Sequence, residues 1–187
     1  MIGYAFCGSF CTHRVSLEIL RVLLEKGLSI LPIMSEAVYT TDTRFGSAKA
    51  LKEEVRRLTG KDIVHTLVEA EPLGPAKPLD ALVISPCTGN TLAKIAQGIT
   101  DSPVTMAAKA HLRCDRPLLL ALASNDSLSA NLQNIAALLL RKGVFFVPML
   151  QDDPARKPHS LVADFSLLPE CLDAALEGKQ KRPLFLA

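Results

Sequence analysis

The sequence predicts an α/β protein, a three-layer, doubly wound parallel sheet of Rossmann-like type in a single domain. Two observations carry this prediction. Apolar runs of strand length alternate with stretches whose apolar residues recur at helical spacing. The strand segments are also near-continuous in Ile, Leu, Val and Ala, the pattern of strands covered on both faces.

Ile2–Cys7 is the first strand, running into a turn at Gly8-Ser9. Thr12 is placed to cap a helix with Val15, Ile19, Val22 and Leu23 inward, and Gly27 to end it. Leu28–Met34 is the second strand, so the opening segment has the size of one right-handed βαβ unit. A polar loop, Ser35–Gly46, leads to a helix with Ala48, Leu51, Val55 and Leu58 on one face and Lys52, Glu53, Arg56 and Arg57 on the other. Thr59-Gly60 stops it. Ile63, Val64, Leu67 and Val68 predict a further helical stretch, and the prolines at 72, 75 and 78 a rigid connector.

Leu79–Ser85 is the third strand and Gly89–Ile99 the helix after it. Ser102-Pro103 opens a helix through Ala110, because proline suits the first helical position. Pro117–Ala123 is the fourth strand, Leu132 to Leu139 a helix, and Val144–Val147 the fifth strand. A polar loop, Gln151–Ser160, precedes a last helix with Leu168, Cys171, Leu172 and Ala175 inward. The domain is expected to span residues 1–178, with 179–187 a tail whose Leu184-Phe185-Leu186 is apolar enough to dock.

Composition narrows the function. The 187 residues carry 21 Lys+Arg against 19 Asp+Glu, a balance that argues against a nucleic-acid binder, which shows a basic face. No apolar run reaches the ~20 residues that a membrane helix needs, so no membrane association is expected. The N-terminus lacks the basic region of a secretory signal, and the odd count of 5 cysteines reads as reduced thiols in a cytoplasmic protein.

Parallel sheets of this kind bind ligands beyond the carboxyl ends of their strands. The loop Cys7–Thr12 offers a glycine, two hydroxyls and helix N-terminal amides, which suit a phosphate; taken alone it is better accounted for by a plain strand-to-helix turn with a capping threonine, because short glycine-containing turns are common. The loop Ser85–Thr91 packs three hydroxyls and a carboxamide into the start of a helix, more than capping requires. Cys7, Cys11 and His13 lie close in sequence, but no second pair completes a metal set, so no metal is expected. His65 is expected on a helix, and His111 near a helix end as a surface or cap residue. His159 and the loop residues Asp152, Asp153, Lys157 and Ser160 fit either a substrate-facing lid or a merely hydrophilic loop.

The run Pro86-x-x-x-Asn90-Thr91-x-Ala93-Lys94-x-Ala96-x-Gly98-Ile99-x-Asp101 resembles the signature of the FMN-binding flavoproteins, which include cysteine decarboxylases and flavin prenyltransferases. Within them, Gly8–Thr12, Thr41–Gly46, Ala70–Pro75, Thr100–Val104, Met106–Ala110 and Gln151–Pro154 look like the family of dipicolinate synthase B subunits. This resemblance implies FMN-linked oxidation of dihydrodipicolinate to dipicolinate in the mother cell of a sporulating bacterium. It also implies an A subunit carrying NAD(P), a small dicarboxylate substrate, and a homo-oligomer, trimeric or dodecameric.

The residues expected to hold FMN are Gly8, Ser9, Thr12, Ser35, Ser85, Thr88, Asn90 and Thr91. Asn125 and Arg44 are the expected catalytic residues, Arg44 because a planar guanidinium fork suits a carboxylate. The decarboxylases carry Pro-x-Met-Asn-x-x-Met-Trp after the fourth strand, where this sequence has Leu122–Ser129. Only the carboxamide, Asn125, is kept, which disfavours decarboxylation of a cysteine. His65 lies too far upstream to take the role of the decarboxylase histidine. A non-catalytic partner that stabilises the A subunit, and another FMN-dependent flavoprotein, are the alternatives.

Overall fold

The structure, a computed structural model, describes residues 1–186. Strands β1 (Ile2–Phe6), β2 (Ile30–Met34), β3 (Ala81–Cys87), β4 (Leu118–Ser124) and β5 (Val144–Phe146) run parallel, side by side in the order 2-1-3-4-5. Alternation along each strand divides the core in two. In β4, Leu118, Leu120 and Leu122 pack on one face and Leu119, Ala121 and Ala123 on the other. The central strands are therefore mostly apolar, because neither face meets water.

Helices α1 (His13–Glu25), α2 (Glu36–Thr40), α3 (Ala48–Thr59) and α8 (Leu168–Leu176) bury their apolar residues on the face of Tyr4 and Phe6. Helices α4 (Leu67–Ala70), α5 (Gly89–Gln97), α6 (Pro103–Leu112) and α7 (Leu132–Leu139) cover the other. The three predicted layers are thus present. The chain leaves β1 toward β2 and returns to the other side of β1 with β3. The carboxyl ends of β1 and β3 flank that reversal, where an open parallel sheet forms its crevice.

Four local expectations need correction. Ile63 and Val64 are not helical: Val64 pairs with Ile33 in a single bridge, its amide donating to Pro32 O at 3.0 Å, and only the short α4 follows. An apolar run of four to six residues does not distinguish the two periods. His65 accordingly precedes α4, stacked on Tyr39 with ring centroids 3.9 Å apart. The Ser35–Gly46 segment contains α2, whose first turn is capped by the Ser35 hydroxyl. The His111 ring is fully buried, its Nε2 2.8 Å from Pro117 O.

The polar segment after β5 is framed by a hairpin that the sequence did not announce. Strands β6 (Met149–Leu150) and β7 (Leu161–Ala163) pair antiparallel, and β7 continues along β4 at Ala123 and Ser124, beyond the end of β5. This brings the 151–160 loop over the carboxyl end of β4. The last described residues also pair: Met149 N donates to Leu184 O and Leu186 N to Met149 O, both at 2.8 Å, with Leu184 buried.

Candidate functional site

A cleft of about 880 Å³ opens above the carboxyl ends of β1, β3 and β4. It lies within the ~300–1,000 Å³ of sites for small molecules and cofactors. Four loops meet there, at 8–12, 44–45, 88–90 and 123–126, with the 151–160 loop closing one side. Gly8, Ser9, Thr12, Thr88, Asn90, Asn125 and Arg44 all line it.

The first wall is the turn between β1 and α1. Residues Phe10–Thr12 form a single 3-10 turn, and the Thr12 amide and hydroxyl both donate to Ser9 O, at 3.0 and 2.8 Å. Thr12 therefore closes the turn on itself and makes no side-chain cap to α1, contrary to expectation. The Ser9 hydroxyl meets only Cys11 Sγ, at 3.9 Å, and remains able to serve a ligand.

The second wall is the start of α5. The Thr88 hydroxyl accepts the Thr91 amide at 3.1 Å and donates to Thr91 Oγ1 at 3.0 Å. Gly89 and Asn90 supply the first helical amides, which have no acceptor inside the helix, and the Asn90 side chain is exposed in the cleft.

Three residues expected to hold the cofactor lie elsewhere. The Ser85 side chain is fully buried and belongs to an internal network: Tyr4 Oη donates to it at 3.0 Å, and Ser16 Oγ lies 3.1 Å away. Thr91 Oγ1 points inward and donates to Cys7 Sγ at 3.3 Å. Burial pushes that thiol up to about 11, so Cys7 stays protonated. Ser35 caps α2 outside the cleft. These hydroxyls brace the loops from below. Cys11 is exposed while Cys7 is buried, and the His13 ring binds Cys7 O at 2.7 Å.

The third wall was missed by sequence reasoning. Asp126 lines the cleft, with Oδ1 taking a hydrogen bond from Ser124 Oγ and Oδ2 accepting from Asn131 Nδ2 at 2.9 Å. The Ser124 hydroxyl first, and the Asn131 amide after it, hold the Asp126 carboxyl below the usual carboxylate range. The only available signal was the density of polar residues in Ser124–Ser129 at a strand end. Gly89 fits against this group and nothing larger would, since a β-carbon there would collide with Ser124 Oγ.

Across the cleft, Lys157 forms an ion pair with Asp152, and Ser160 lies buried beside them. His159 is exposed and lies outside the cleft. Arg44 has no carboxylate partner among the described residues; its guanidinium rests 4.8 Å from the centre of the Phe45 ring. The turn carrying both is closed by mutual backbone hydrogen bonds between Thr43 and Gly46.

These groups fit FMN. Free amides and the Ser9 hydroxyl suit a phosphate, Asn90 and Thr88 suit a polyol, and Phe10, Phe45, Ala123 and Val162 offer apolar surface to a planar ring. The Asp126 carboxylate lies beside Gly89 at the start of α5, and its negative charge opposes a second anion there. A phosphate is therefore favoured at the 8–12 turn rather than at α5.

A family profile described as Flavoprotein matches residues 1–166. The B subunit of dipicolinate synthase from Bacillus subtilis (strain 168) is 41% identical over 185 residues, covering 99% of this chain and 92% of that protein. The crystal structure of the corresponding dipicolinate synthase chain from Bacillus halodurans C, likewise its B subunit, matches with a TM-score of 0.91 at 41% identity, covering 100% of this chain and 95% of that one. A dodecameric FMN-dependent UbiX-like decarboxylase from Escherichia coli O157:H7 shares the fold, with a TM-score of 0.62 at 24% identity over 79% of each chain.

Proposed function

This chain belongs to the Flavoprotein family, grouping there with dipicolinate synthase B subunits, and on that basis we propose that it is the FMN-binding subunit of an oxidoreductase converting dihydrodipicolinate to dipicolinate. The observation that carries this reading is the shared cleft. Turn 8–12, the start of α5 and the unpaired cation Arg44 face one space of about 880 Å³.

In this reading the backbone amides of the 8–12 turn and the Ser9 hydroxyl bind the phosphate, and Thr88 and Asn90 hold the ribityl chain. FMN, when bound, supplies a hydride acceptor. Arg44 takes a substrate carboxylate in a two-pronged hydrogen bond, and Asn125 orients the ring through its carboxamide. Phe45 and the 151–160 loop shield the ring from water. An A subunit carrying NAD(P) acts with this chain, in the mother cell of a sporulating bacterium. The chain assembles as a homo-oligomer, a trimer or a dodecamer; the dodecameric relative in fold supports that expectation.

A second reading is a non-catalytic partner that stabilises the A subunit. The Leu122–Ser129 segment favours it, because the methionines and tryptophan of the decarboxylases are missing there. Titrating the purified chain with FMN and recording the visible spectrum separates the two. A flavin spectrum shifted on binding supports the first reading, and a protein that ignores FMN supports the second.

A further inference from the structure

We propose that Asp126 is the base that takes the ring proton when the dihydropyridine dicarboxylate is aromatised, an assignment that rests on the function proposed above. Aromatisation removes two hydrogens in different forms. One leaves with its bonding pair as hydride to the oxidised flavin, so the ring becomes a cation. The other leaves as a proton, its C–H or N–H pair completing the aromatic ring, and the proton becomes an O–H on Asp126.

Position and charge single out this carboxylate. Asp152 is neutralised by Lys157, whereas the partners of Asp126 are the neutral groups of Ser124 and Asn131, so Asp126 brings a full negative charge to the cleft. The start of α5, made approachable by Gly89, stabilises that charge. Each carboxylate oxygen accepts one hydrogen bond within the protein and keeps a lone pair for a ligand.

A chain of amides fixes its direction. Asn131, 5% exposed, accepts from Asn134 Nδ2 at 2.9 Å, and Asn134 Oδ1 accepts from Gln97 Nε2 at 3.4 Å. No histidine lines the cleft among the described residues. A weakly basic carboxylate suffices, because the cation formed by hydride loss gains aromaticity when it gives up its proton. The same negative charge repels the substrate carboxylates from this wall and directs them to Arg44.

The test uses the chain with its A subunit and FMN. Asp126→Asn is expected to lower kcat about 100-fold or more, the scale of a lost general base, with KM unchanged or lower. The wild type is expected to lose activity on the acid side as Asp126 is protonated, and the variant to lack that fall. The charged groups facing Asp126 across the cleft are Asp152, Lys157 and Arg44, with the thiol of Cys11; all remain in the variant. Independently of turnover, calorimetric titration with dipicolinate should show tighter binding to Asp126→Asn, by roughly three- to tenfold, because a like charge is gone.

Should the amide variant fail to fold, Asp126→Glu carries the test, with kcat about tenfold lower and the acid-side fall retained. An unchanged kcat in either variant, or unchanged dipicolinate affinity in Asp126→Asn, overturns the assignment while FMN binding by spectrum leaves the proposed function standing. A wild-type chain that neither takes up FMN nor supports turnover overturns both.

Discussion

Gly89 and the Asp126 carboxylate share one space: a β-carbon on residue 89 would stand 2.7 Å from Asp126 Oδ1 and 2.6 Å from Asn131 Nδ2. The first helical residue of α5 therefore has no room for a side chain. Gly89→Ala is expected to cost about 1–3 kcal/mol by overpacking and to lower the melting temperature. It should also weaken FMN binding, since the carboxylate and the helix start must separate. Thermal melting and spectral titration check both effects, and a variant as stable as wild type would show that the wall yields.

Asn90 and Arg44 face the same cleft but serve different ligands in the proposed reading. Asn90→Ala should weaken FMN binding about tenfold, the worth of roughly one hydrogen bond. Arg44→Ala should leave FMN affinity within about twofold and raise the substrate KM roughly tenfold or more. If both variants change the same quantity, the division of the cleft is wrong.

Tyr4 is fully buried, and its hydroxyl bonds Ser16 and Ser85, joining β1, α1 and β3 beneath the cleft. Burial pushes the phenol up to about 12. The folded state thus favours the neutral phenol; its contribution is complete below pH ~10, where the unfolded phenol is also neutral, and is lost as pH rises toward 12. Tyr4→Phe should lose about 1–2 kcal/mol at neutral pH and lack this component of the alkaline fall. Denaturant titrations of both proteins at pH values between about 8 and 11 measure the difference.

His111 presents the opposite sign. Burial, chiefly, lowers its pKa; Nε2 bonds Pro117 O, and Nδ1 is buried without a partner. The neutral ring is favoured by folding. Its stabilisation is present above the ordinary pKa of ~6.5 and is lost as pH falls below it. Melting temperatures taken from about pH 7.5 down to about 5 should drop in wild type and drop less in His111→Gln.

The layered α/β fold and the placement of the strand-end loops were legible because both follow from apolar spacing. Ser102-Pro103 opened α6 for local reasons visible in a few residues. What escaped depended on contacts distant in sequence. Ser85 and Thr91 look like ligand hydroxyls until Tyr4, Ser16 and Cys7 are seen to take them. Hairpin β6–β7 was hidden because a long polar loop separates its partners, and part of its pairing lies with β4. Asp126 read as one polar residue among several; only the fold sets it against Gly89.

The residues at 184–186 lie along β6, and Gln180 reaches Phe146 with its amide, Oε1 accepting from N at 2.9 Å and Nε2 donating to O at 2.7 Å. Without them, backbone donors and acceptors of β5 and β6 would face solvent as an open template for another chain. Cutting the polypeptide before Gln180 should therefore convert a stable solution of the protein into one that clouds on standing, through strands joining rim to rim.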